Sequence, residues 1–147
     1  MSIKKKYKLK IVYEESFILF AIITSVKEYT LAWHLNKLLR IYLKKAEEIK
    51  YEMNSGEYFY ISNFIYQTEY LTYRLLKNKG FGVSENLIYF LVPEMKKYDF
   101  FLHIHGEIGL VDKDCVLEQL KKSEYLIYID IVDSERLKSR LNFITLH

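Results

Sequence analysis

A single cysteine, Cys115, stands among the 147 residues, so no disulfide can close within the chain, and one thiol cannot by itself hold a structural zinc. That scarcity suits a reducing compartment. Proline occurs once, at Pro93, and the five glycines are too scattered for a phosphate loop; neither G-x-x-x-x-G-K nor G-x-G-x-x-G is present. Nucleotide-dependent catalysis is therefore not expected. Long apolar runs are missing as well: the longest, Phe17 to Ile23, falls far short of the roughly 20 residues that span a bilayer. The basic start, Met1-Ser2-Ile3-Lys4-Lys5-Lys6, is not followed by the apolar centre of a signal peptide, and a cytoplasmic protein without a membrane span is expected. Charge of one sign is also scarce, because a net +3 is too small to argue nucleic-acid binding by itself.

What remains is globular composition, half hydrophobic and 28% charged, in a length that makes one domain over residues 1–147. Fourteen tyrosines and nine phenylalanines against one tryptophan give material for a stacking or partner surface. Lysine, tyrosine, isoleucine, phenylalanine and asparagine also share AT-rich codons, which is the plainer source of the excess.

From Ile3 to Tyr13 the chain alternates, with Lys4, Lys6, Lys8 and Lys10 on one face, as in a half-buried strand. Phe17 to Thr24 suits a buried central strand. Ser25-Val26-Lys27-Glu28 fits a capping box, and the apolar spacing of Tyr29, Ala32, Trp33, Leu35 and Leu39 predicts a helix over about 26–38. Strands are expected over 41–51, 58–66 and 70–77 as an antiparallel meander, then a loop at Asn78-Lys79-Gly80-Phe81-Gly82, then strands over 87–92 and 98–104. Asp112 or Asp114 caps a second helix carrying Val116, Leu117 and Leu120; a strand over 125–131, a helical turn at 133–136 and a last short strand over 141–146 complete the chain. The order implies an α+β class: a single two-layer domain, mainly antiparallel sheet, with two principal helices on one face.

Val92-Pro93-Glu94-Met95-Lys96-Lys97-Tyr98-Asp99-Phe100 joins two of these strands through the only proline. Pro93 can end a strand and open a helical turn, with Glu94 at its positive end. The segment resembles the pattern that names the IPExxxVDY family of Bacteroidetes proteins, through Pro93, Glu94 and Asp99 with hydrophobic exchanges at Val92, Tyr98 and Phe100. Thr24 to Tyr29 with Leu31, Ala32, Leu35 and Asn36 looks like that family's first helix, and Asp133 to Ile144 like its closing segment. The resemblance covers nearly the whole chain and adds weight to the α+β class, but it brings no catalytic residues with it.

Chemistry is sought beside that segment. In one strand over 98–107, residues two apart share a face, so Asp99, Phe101, His103, His105 and Glu107 line one side and Phe100, Leu102 and Ile104 the core. His103, His105 and Glu107 have the donor types for zinc or iron, and a metal-dependent enzyme is one reading; a solvated sheet face is the other. Glu94 and Asp99 are either an acid–base pair or structural, with Glu94 on orphan N–H groups and Asp99 on a lysine or backbone donor. Cys115 has no neighbouring histidine, and His34 and Trp33 sit mid-helix where core or interface roles fit better. Lys4, Lys6, Lys8 and Lys10 either follow an RNA backbone or protect an edge strand from aggregation. The expectation is a binding or interaction module without catalysis or cofactor, self-associating as a homodimer or meeting another protein, with RNA contact through the first strand as a further partner. The metal-dependent enzyme is the alternative.

Overall fold

The structure, a computed structural model, describes residues 16–147, so the first lysine-rich segment lies outside the described residues. Its apolar run does become a central strand, β1 (Phe17–Ile23), with nearly every side chain buried. A helix, α1 (Glu28–Leu39), turns Leu31, Ala32 and Leu35 inward. The meander follows as β2 (Lys44–Glu52), β3 (Tyr58–Gln67) and β4 (Leu71–Lys77). Two short strands, β5 (Lys79–Gly82) and β6 (Tyr89–Phe90), precede a single 3₁₀ turn at Pro93–Met95 and the strand β7 (Phe100–Gly106). After a second 3₁₀ turn come α2 (Lys113–Lys121), β8 (Tyr128–Ile131) and a short α3 (Leu141–Ile144).

Among the described residues all of the strand pairs are antiparallel, and the order is β6-β5-β3-β4-β7-β1-β8, with β2 also on β3. β4 and β5 share the same side of β3, at Asn63–Gln67 and Phe59–Tyr60 respectively, so they form one line interrupted at Asn78. The α+β class is therefore shown, and both principal helices pack on one face: Leu31, Leu35 and Leu120 meet Phe20, Ile22, Leu102 and Ile104. Each such large apolar side chain, once fully buried, contributes about 1.5–3 kcal/mol.

The opposite face is covered too. Phe17, Leu19, Ala21, Phe101 and Leu76 pack with Leu137 and Phe143 of the C-terminal segment, so the central strands alternate between two cores. The expected solvated face is corrected at this point: Phe101 and His103 are both fully buried. The expected last strand is corrected as well, because 141–144 is helical. Its turn carries Phe143 into that second core, while Asn142 bonds outward: its Nδ2 donates to the Leu91 carbonyl at 2.9 Å, and its own carbonyl accepts from Tyr51 Oη at 2.9 Å.

The capping box does not form. Thr24 N–H donates to Asp99 Oδ2 at 3.0 Å and Val26 N–H to Thr24 Oγ1 at 3.3 Å, which holds 24–26 at the sheet end. Helix α1 begins two residues later than expected, with Lys27 as its uncapped N-cap, and Glu28 reaches sideways to Ser62 and Lys45. Asp112 does cap α2, accepting the Cys115 N–H at 3.1 Å. Among the described residues no helix is long and apolar enough to cross a membrane.

Candidate functional site

Register exposes what the proline segment does. Lys77 lies opposite Phe100 and Lys79 opposite Phe90, so residues 91–99 form a nine-residue excursion opposite Asn78 alone. Asn78 closes it. Its N–H donates to the Asp99 carbonyl at 2.9 Å, and its own carbonyl accepts the Leu91 N–H at 2.8 Å, which continues the ladder across the gap. Its side chain, only 1% exposed, accepts the Val92 N–H at 2.9 Å and donates to the carbonyls of Met95 at 3.0 Å and Tyr98 at 2.9 Å. A residue expected in a loop is thus the buried post on which the excursion hangs.

The carboxylates of the segment are spent on structural hydrogen bonds. Both Glu94 oxygens accept from Ser139, Oε2 from its N–H at 2.7 Å and Oε1 from its hydroxyl at 2.6 Å. Burial pushes the Glu94 carboxyl up, but the Ser139 bonds, together with its own backbone and Lys138, leave it below the ordinary carboxylate range. Asp99 holds the Thr24 N–H instead of facing Glu94 as a proton-transfer partner. Pro93 opens the 3₁₀ turn, as the sequence led one to expect. Glu94→Ala should cost about 1 kcal/mol in urea unfolding, the scale of a lost exposed cap; no change in midpoint would show that the Ser139 contact contributes nothing.

The excursion also shapes a cleft of about 660 Å³ against the start of α1. Alternation along β4 and β5 sends Lys77 and Lys79 to the helix side, and Lys27 from α1 and Lys96 from the excursion complete four lysines around it. Among the described residues none of the four is in an ion pair. The carboxylates in the lining are Glu28, held by Ser62 and Lys45, and Asp99, held by Thr24. Phe90 and Tyr98 supply rings, with Lys96 Nζ 5.7 Å from the centre of the Phe90 ring. No sequence pattern marks this set, because its members come from separate elements.

The histidines form a different group. His103 and His105 share a face with ring centres 5.4 Å apart, as expected, but Glu107 does not join them. Gly106, at φ +112°, breaks the alternation, and a side chain there would meet the Tyr70 carbonyl at 2.3 Å. Glu107 is exposed beyond it, its N–H donating to Tyr70. The third ring is His147, which sequence reading missed: it stacks on His105 at 4.3 Å, and its Nε2 lies 3.3 Å from His103 Nε2. Arg74 Nη1 sits 2.8 Å from His105 Nε2. Burial drives His103 well below its ordinary pKa, reinforced by His105, His147 and Arg74; burial, His147 and Arg74 take His105 to about 4. His103 and His105 are thus held neutral beside the Arg74 cation. Among the described residues, no three histidine, cysteine, aspartate or glutamate side chains are arranged to hold a metal ion.

The remaining candidates lie apart. Cys115 is exposed on the first turn of α2. Trp33 is exposed under Lys37, and His34 stacks on Tyr125 with ring centres 3.6 Å apart. Lys4, Lys6, Lys8 and Lys10 lie outside the described residues. Neither a family model nor a curated protein matches this chain.

Proposed function

We propose that this chain is a cytoplasmic binding module that performs no chemistry of its own and works as a homodimer. The observation that carries this reading is the use made of the proline segment and of Asn78 opposite it, whose polar groups are committed to structural hydrogen bonds: Glu94 to Ser139, Asp99 to Thr24, and Asn78 to the excursion. Residues built into a wall in this way create a surface. Beside that wall, Phe81, Val83, Leu87 and Ile88 are 49–93% exposed within one short stretch, the kind of apolar concentration that a second copy covers. The resemblance to the IPExxxVDY family is taken as kinship on the residues that carry it. RNA contact through Lys4, Lys6, Lys8 and Lys10 belongs to the same reading, and a gel shift unaffected by changing all four to serine would remove it.

Light scattering at about tens of micromolar should give a mass near twice 17.8 kDa, and Phe81→Ser with Ile88→Ser should return it to 17.8 kDa. A monomeric parent protein at that concentration would contradict the homodimer.

A further inference from the structure

We propose that the cleft between α1, the β4–β5 bend and the 91–99 excursion binds a compact polyphosphate anion, free or as the phosphate chain of a nucleotide. Lys27, Lys77, Lys79 and Lys96 reach it from separate parts of the fold, and among the described residues no carboxylate pairs with any of them. Of the two carboxylates of the lining, Glu28 is balanced by Lys45 from outside it, while Asp99, which accepts from Thr24 N–H, keeps its charge, so four lysines face one uncompensated carboxylate and the lining stays positive. Four like charges around one concavity repel each other until an anion enters, and an anion with several charges can meet several lysines at once.

Helix α1 strengthens the case without carrying it, since its N-terminus opens beside the cleft with no side-chain cap and adds partial positive charge there. The volume, about 660 Å³, lies in the range of small-molecule sites and exceeds what one phosphate needs. Phe90 and the exposed Tyr29 at the rim leave room for a base to stack. Such binding needs no glycine loop, since the lysines do the work of backbone N–H groups, and it implies no hydrolysis. It is also independent of self-association, since titration and light scattering fail separately.

The test is calorimetric titration of the whole chain with sodium tripolyphosphate at low salt. A single saturable site is expected, weakening as salt is raised. Lys77→Ser with Lys79→Ser should weaken it by about tenfold or more, whereas Lys97→Ser with Lys121→Ser, the same charge change outside the cleft lining, should not. Both pairs are exposed, so unchanged urea midpoints would show intact folds. Absence of saturable binding up to about millimolar ligand, or equal losses in the two double variants, would overturn the proposal. Competition then separates the sources: tighter binding of ATP than of tripolyphosphate supports a nucleotide, and the reverse supports free polyphosphate.

Discussion

Asn78→Leu should lower the unfolding free energy by about 3–5 kcal/mol, a large part of the roughly 5–15 kcal/mol that an ordinary domain has. Leucine shares asparagine's branched skeleton but is bulkier, so no cavity is left and the cost arises from lost hydrogen bonds, with crowding added. The substitution removes one accepted and two donated bonds, strands the Val92 N–H and the Tyr98 carbonyl in a site only 1% exposed, and leaves the Met95 carbonyl with the Tyr98 N–H alone, at 3.2 Å. Each buried group left without a partner costs about 1–3 kcal/mol, with partial relief as the excursion relaxes. Asn78→Asp keeps the shape and the acceptor but turns an oxygen toward two carbonyls, and should be no better tolerated. Asn54→Ala, in the exposed β2–β3 turn, should stay within about 0.5 kcal/mol. Equal midpoints for Asn78→Leu and Asn54→Ala in urea would remove Asn78 from its place at the centre of the fold.

Acid should destabilise the protein earlier than its carboxylates alone require. His103 is fully buried, its Nδ1 finds no partner among the described residues, and its Nε2 faces His147. His105 accepts from Arg74, which is always charged, so a proton on that nitrogen would set two cations against each other. Both histidines therefore have folded pKa values below that of the unfolded chain, about 6.5, and the unfolded state takes up their protons first. Stability is fully present above about pH 6.5 and falls as pH falls, by up to about 1.4 kcal/mol per pH unit for each histidine. The His105 share levels off near its folded value of about 4. Glu94 adds its own loss only at lower pH, because its folded pKa lies below the carboxylate range. His103→Phe, placed beside Phe17 and Phe143, should reduce the slope between pH 6 and 5 by about half. Stability that is flat from pH 7 to 5 in urea titrations would show that the rings do not stay neutral as described.

The elements that sequence made legible are those governed by local physics. The run Phe17 to Ile23 is long enough for a strand and too short for much else, Asp112 is a strong cap before an apolar spacing, and the two principal helices fall where that spacing puts them. Asn78 was not legible, because its neighbours Lys79, Gly80 and Gly82 read as a loop and its worth depends on what lies opposite in the sheet. The faces of β7 were misjudged for a related reason. Alternation shows which residues share a side, but not whether a segment some 40 residues later will cover it, as Phe143 and His147 cover His103. The lysine cleft depends on the same long-range placement: Lys77 and Lys79 share a side by alternation, while Lys27 and Lys96 arrive from elements distant in sequence.

Hydrogen exchange monitored by NMR tests most directly the claim that residues 91–99 form a rigid wall hung on Asn78. The amides of Asn78, Leu91 and Val92, which the ladder and the Asn78 side chain hold, should exchange as slowly as those of β7, and the Asn78 side-chain amide protons should be protected with them. Exchange of these protons at the rate of an open loop, while β7 remains protected, would contradict it.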